Sequence, residues 1–90
     1  MISLGDIQRR LQNLKGWYLE GDTIAREFNF EDFSKSIEFV NKIAQLAEEH
    51  NHHPQILINL NSVRLCLTTH SEGGLSDKDF KLAEEIDKFQ

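Results

Sequence analysis

Histidines are the residues best suited to do chemistry in this 90-residue chain. Three of its four histidines crowd into "EEHNHHPQ", residues 48–55, as His50, His52 and His53, followed at once by the only proline, Pro54. The fourth, His70, closes the stretch "CLTTH". Imidazole titrates near neutrality, so it can give a proton at one atom and take one at another, and it is also a common metal ligand. The spacing disfavours a metal. His52 and His53 are neighbours that point opposite ways in an extended segment, and no two histidines stand four apart on a helix. Cys66 lies four strand residues from His70, about 13 Å along the chain. That distance also separates the pair too far for a Cys–His nucleophile, and Cys66 reads as packing. His50 is explained by the helix end it occupies, where a cation or donor meets the last carbonyls.

His52, His53 and His70 remain, with Glu48 one helical turn before His52. On residue types alone, acid/base chemistry and ordinary packing stand level. Asp79 reads equally well as a helix-cap carboxylate, Thr68 and Thr69 as strand residues, and Gly73-Gly74 as a turn.

The elements that must position these residues follow from periodicity. "SLGDIQRRLQNLKG" reads as an opening helix, with Ser3 and Asp6 approximating a capping box, Leu4, Ile7, Leu11 and Leu14 on one face, and Gly16 as the stop. "WYLEGDTIAREFNF" reads as a hairpin turning at Gly21-Asp22. "EDFSKSIEFVNKIAQLAEEH" is the strongest helix, its expected buried stripe being Phe33, Ile37, Val40, Ile43, Ala44 and Ala47. Pro54 ends it and holds His53 extended. "QILINLNSVRLCLTTH" reads as two strands, and a two-residue turn at Asn61-Ser62 would pair Ile58 with Leu65, Leu57 with Cys66 and His53 with His70. "LSDKDFKLAEEIDKF" reads as a closing helix, with Ser76 as N-cap, Asp79 at the third position, and Leu82, Ala83, Ile86 and Phe89 inward. The expected fold is α+β, order α-β-β-α-β-β-α: a four-stranded antiparallel sheet with three helices on one face. Three imidazoles and a carboxylate should meet at the edge of one pocket.

The bulk numbers narrow the class. Ninety residues predict a single domain over 1–90, small enough that self-association would help to cover apolar surface. With 39 % hydrophobic and 28 % charged residues the chain reads as globular. A net charge of −5 with scattered Lys and Arg argues against nucleic acid as a partner. One cysteine fits a reducing compartment. No apolar run approaches a membrane span, and "MISLGDIQRR" lacks the apolar core of a secretory signal, so the expected location is cytoplasmic.

The stretch "AEEHNHHPQILINLNSVRLCLTTHSEGGLSDKDFKLA" resembles the pterin-4a-carbinolamine dehydratase family, also known for the dimerisation cofactor of a homeodomain transcription factor. The matching positions are Glu48, His52, His53, Pro54, His70 in a Thr-His pair, and Asp79 after Gly-Leu. "GWYLEGDTIAREFNFEDF" looks like the family's Gly-Trp segment and its Phe-x-Phe-x-Asp-Phe passage. Two positions depart from it, Ile56 and Leu60, where the family commonly carries aromatics. The resemblance implies dehydration of 4a-hydroxytetrahydrobiopterin to quinonoid dihydrobiopterin, serving aromatic amino acid hydroxylases. It implies His52 and His70 as acid and base, His53 to bind and orient the ring, and Glu48 to set a histidine tautomer. Asn51, Thr68, Thr69, Ser71 and Asp79 complete the implied binding set. It also implies no metal or organic cofactor, since the pterin is the substrate, and a homodimer or homotetramer. A pterin-binding assistant without turnover and a coactivator-like interaction module are the alternatives it leaves.

Overall fold

The computed structural model describes residues 2–89. Its elements run α1 (Leu4–Leu11), β1 (Tyr18–Glu20), β2 (Thr23–Asn29), α2 (Phe33–His50), β3 (Gln55–Asn59), β4 (Ser62–Leu67), a 3₁₀ turn (His70–Glu72) and α3 (Asp77–Asp87). The four strands form one antiparallel sheet in the order β1-β2-β4-β3. This is the α+β order that the periodicity predicts.

Alternation in the strands sorts the two faces. Ile24, Phe28, Val63, Leu65 and Leu67 point to one side and join Phe39, Ile43, Phe80, Leu82 and Ile86 of the helices in one core, with Ile7 and Leu11 of α1 packed against it. The other face carries no helix and presents Glu27, Leu57, Asn59 and Arg64. Phe39 anchors α2 by stacking on Phe28 and Phe30, at centroid distances of 4.7 and 5.0 Å. Asp87 ties α3 to the sheet, accepting from Trp17 Nε1 at 2.8 Å and Arg26 Nη1 at 2.6 Å.

Three expectations are corrected. The 59–62 turn is Leu60-Asn61, so Asn59 faces Ser62, Ile58 faces Val63, Leu57 faces Arg64 and Gln55 faces Cys66. Ser62 is captured as a strand residue because β2 reaches it: Asn29 pairs with Ser62, and Phe30 N–H donates to Asn61 O at 2.7 Å. Leu60 then takes the left-handed conformation, φ 53°, at a cost of about 1–2 kcal/mol. The slip is two residues, so every side chain keeps its face, but His53 is no longer opposite His70. Second, α2 buries Ser36, Phe39, Ile43, Leu46 and Ala47, while Phe33 is 51 % exposed and Ala44 is exposed. The stripe is rotated because the Phe28–Phe39–Phe30 stack sets the helix's roll. Third, α1 ends at Leu11 rather than running to Gly16, and Leu4 and Phe89 are exposed rather than core.

Among the described residues, no helix is long and apolar enough to cross a membrane.

Candidate active site

The C-terminal cap of α2 aims the histidine pair. Asn51 adopts the left-handed conformation, φ 49°, its N–H donating to Glu48 O at 3.2 Å, while His52 N–H donates to Ala47 O at 3.1 Å. These two bonds satisfy the last helical carbonyls and turn the chain sharply out of the helix. Pro54 then disfavours helical geometry at His53. Consecutive side chains of an extended segment diverge, and His52 and His53 do so.

His52 turns to the helix-covered side. Its side chain is 11 % exposed and its Nε2 lies 2.6 Å from Oδ1 of Asp79, which is fully buried. Asp79 Oδ2 accepts from Thr69 Oγ1 at 2.8 Å and from the Ser76 backbone N–H at 2.9 Å. A carboxylate only accepts, so Thr69's hydroxyl hydrogen is committed to Asp79, and Ser76 Oγ donates to Thr69 Oγ1 across 2.8 Å. By the same logic His52 Nε2 carries the hydrogen and Nδ1 is left with its lone pair, unless the ring is doubly protonated. Ser76 and Asp79 also form the capping box of α3, which places Asp79 at the positive end of a helix. The buried charge is thus met by three donors and a dipole.

His53 turns to the open side, where its Nε2 contacts Oε2 of Glu48; both side chains are more than half exposed. His70 begins the 3₁₀ turn and is held by a closed loop: Thr69 N–H to Gly74 O at 3.0 Å, Gly74 N–H to Thr69 O at 3.2 Å, and Gly73 N–H to His70 O at 3.0 Å. Gly73 has φ 74°, where a side chain would strain the loop.

A cavity of about 390 Å³ opens on the helix-free face, lined by Thr23, His53, Gln55, Cys66, Thr68 and His70. The structure therefore brings His53, His70 and Thr68 together, and sets His52 outside that lining, on the far side of the same two-residue step. Instead of three imidazoles around one pocket there are two, with the third behind them. Glu48 stands at the rim as the partner of His53. Thr69 and Asp79 are buried behind His52 and present no side chain to the cavity. Asn51 and Ser71 are exposed, one at the helix cap and one in the 3₁₀ turn, and neither lines it. Thr68 Oγ1 donates to Asp22 O at 2.8 Å, fixing this wall to the β1–β2 turn.

Thr23, Gln55 and Cys66 complete the wall, and the sequence reading does not single them out. Strand alternation is the signal that finds them, since Gln55, Cys66 and Thr68 share the parity of His53 and His70. Burial pushes the Cys66 thiol above its ordinary range, and the Arg64 guanidinium, whose Nη1 is 2.8 Å from Sγ, partly opposes that shift. Among the described residues, no three His, Cys, Asp or Glu side chains are grouped to hold a metal ion. Leu60 sits in the hairpin turn, at the opposite end of β3 from His53.

The family model for pterin 4 alpha carbinolamine dehydratase matches residues 2–89. A protein of Sulfolobus acidocaldarius carrying the name "Putative pterin-4-alpha-carbinolamine dehydratase" is 46 % identical over 85 residues, 94 % of this chain and 93 % of that protein. One of the same name from Thermosynechococcus vestitus is also 46 % identical over 85 residues, 94 % and 90 % of the two chains. The crystal structure of a transcriptional coactivator/pterin dehydratase from Brucella melitensis superposes with a TM-score of 0.91 at 34 % identity, covering 97 % of this chain and 95 % of that one. The chain belongs to the pterin-4α-carbinolamine dehydratase family.

Proposed function

We propose that this protein dehydrates 4a-hydroxytetrahydrobiopterin to quinonoid dihydrobiopterin and water, in the cytoplasm, as a recycling step for aromatic amino acid hydroxylases. The observation that carries this reading is the arrangement at one end of β3 and β4. Two imidazoles share a cavity, and a third, oriented by a buried carboxylate, stands one residue away on the other side. The reaction needs two proton transfers at neighbouring ring atoms. Hydroxide leaves poorly, so an imidazolium gives its proton to the 4a-oxygen as the C4a–O bond breaks. The adjacent ring nitrogen forms the new double bond and releases its hydrogen to a neutral imidazole.

His70 and His52 take these two parts, and the substrate's stereoisomer decides which acts as acid. His52 works through Nδ1, because Asp79 engages Nε2; a base oriented by a carboxylate is the arrangement familiar from nucleophile-activating triads. His53, steadied by Glu48, supports the ring from the open side. A flat bicyclic ring laid across the end of the sheet would touch His53 and His70 on one side and the exposed edge of His52 on the other. Thr68 offers a hydroxyl, and Asn51 and Ser71 are near enough in the chain to add rim contacts. Thr69 and Asp79 act through His52.

The unit that works is a homo-oligomer. β3 is an edge strand without a charge or a proline, and Leu57, Ile58 and Leu60 are 47, 44 and 68 % exposed. Natural edge strands are normally blunted against pairing. The other edge, β1, has three residues and ends in Glu20. A second copy pairing on β3 would cover the apolar edge. Oligomerisation leaves room for a second reading, an interaction module, which the exposed Phe33 on the flank of α2 favours.

The test generates the carbinolamine with an aromatic amino acid hydroxylase and follows the quinonoid product against the uncatalysed rate. His52→Ala and His70→Ala should each lower kcat by about 10²-fold or more, the double variant should approach background, and His53→Ala should act mainly on KM. A chelator should leave the rate unchanged. A wild-type rate equal to background refutes the dehydratase reading.

A further inference from the structure

Two threonines in the wall of the histidine cavity have a fixed polarity. Thr23 Oγ1 lies 2.8 Å from Glu20 O, and Thr68 Oγ1 lies 2.8 Å from Asp22 O. A carbonyl oxygen only accepts, so each hydroxyl gives its single hydrogen to the β1–β2 turn. What both oxygens offer the cavity is lone pairs. The two stand side by side, because the ladder that pairs Ile24 with Leu67 sets Thr23 beside Thr68 at its following step. His53 and His70 line the same space.

A neighbouring pair of acceptors selects a ligand edge that carries N–H groups. Gln55, on the β3 side of the cavity, does not set this polarity, since its exposed carboxamide can turn to donate or to accept. On a pterin, N3–H and the 2-amino group form such an edge. The carbinolamine carbon lies across the same pyrimidine ring, about 4 Å from the amino nitrogen. An acceptor that grips the amino edge therefore stands about 7 Å from the reacting carbon, once a hydrogen bond of about 3 Å is added. Thr68 and His70 are two residues apart with Thr69 extended between them, a step of about 6.6 Å. One ring can thus meet the threonines at its amino edge and His70 at its reacting edge.

Building on the dehydratase reading, we infer that Thr23, together with Thr68, determines specificity at this cavity. Their lone pairs accept from N3–H and the 2-amino group, which selects a 2-amino-4-oxo pteridine over a 2,4-dioxo one. The dioxo ring would turn a carbonyl oxygen toward a hydroxyl oxygen whose hydrogen is committed elsewhere. Thr23→Val and Thr68→Val keep the branched shape that suits a strand. The bonds they remove are exposed, so circular dichroism should show the fold intact. Calorimetry with two probes reads the selection without turnover: 6-methyl-7,8-dihydropterin, which bears the 2-amino group, and 6-methyl-7,8-dihydrolumazine, which has oxygen in its place. Wild type should bind the amino probe about tenfold more tightly. Each valine variant should lose about three- to tenfold for that probe and stay within about twofold for the dioxo probe. Thr23→Ser, which keeps the hydroxyl, should retain the wild-type preference. Equal wild-type affinity for the two probes, or equal weakening of both by the valine variants, overturns the inference, and the wild-type comparison decides alone if a variant does not fold. If the carbinolamine is still dehydrated in that case, the dehydratase reading stands without it. Failure of wild type to bind either probe overturns both.

Discussion

Replacing Asp79 by asparagine separates the two roles this carboxylate holds. The side chain is fully buried and accepts three hydrogen bonds, from His52, Thr69 and the Ser76 backbone. In the Asp79→Asn protein the one remaining oxygen can keep Thr69 and Ser76, but the amide nitrogen that replaces Oδ1 can only donate. His52 must then present an unprotonated Nε2 and carry its hydrogen on Nδ1, the wrong tautomer for a base acting through Nδ1. Bonds to a charged group contribute about 1.5–3 kcal/mol and neutral ones about 0.5–1.5. The exchange should therefore cost about 1–3 kcal/mol and lower Tm by roughly 5–20 °C at this chain length. Loss of a positioned proton carrier costs about 10²–10⁴ in rate, so kcat should fall at least 10²-fold below the melting transition. Long-range ¹H–¹⁵N correlation should show the His52 tautomer exchanged. Ser76→Ala is the control, because it damages the same helix cap, by about 0.5–2 kcal/mol, without touching His52. A folded Asp79→Asn protein with wild-type kcat would refute the argument and reduce Asp79 to a helix cap.

Other outcomes follow from the fold. Leu57→Lys places a charge in the exposed edge of β3 and should shift the protein to monomer in sedimentation, whereas a single species of unchanged mass would show that this edge is not the interface. Gly16→Ala should destabilise by about 1–2 kcal/mol. Gly16 has φ 80°, and a Cβ there would lie 2.9 Å from Nε of an Arg26 side chain already held by Asp87. Gly21→Ala, with φ 63° and open space around it, isolates the backbone part in thermal melts. Cys66 should react with maleimide more slowly than a free thiol at neutral pH, since burial raises its pKa and keeps it protonated. The rate should climb as pH rises past the ordinary thiol range, and a flat profile would contradict this.

Much of the architecture is legible in the sequence because period and punctuation agree. Gly21-Asp22 turns the first hairpin, Ser76 caps the last helix, and Pro54 separates α2 from β3. What escapes are choices made by tertiary contact. Asn61-Ser62 is the better local turn, but Ser62 belongs to β4 because β2 pairs with it, and Leu60 bears the strain. The roll of α2 is set by Phe28 and Phe30, which lie outside the helix, so its own periodicity could not select among several apolar stripes. At the site, strand parity is sound and proximity is not. Parity places His53 and His70 on one face, yet an error of two residues makes them opposite partners. The divergence of His52 from His53 counts against a shared metal, and the same divergence splits the expected pocket in two. The union of Asp79, Thr69 and His52 spans three separate segments, and no local pattern announces it.

The orientation of His52 depends on the first turn of α3, which follows the whole sheet in the chain. A nascent or partly opened molecule lacking that docked turn has the whole sheet and all four imidazoles, yet leaves one ring free to spin. Competence should therefore track the opening equilibrium of α3, measurable as amide exchange near Ser76 and Asp79, rather than the global unfolding of the chain. Temperature or mild denaturant should silence turnover before the sheet gives way.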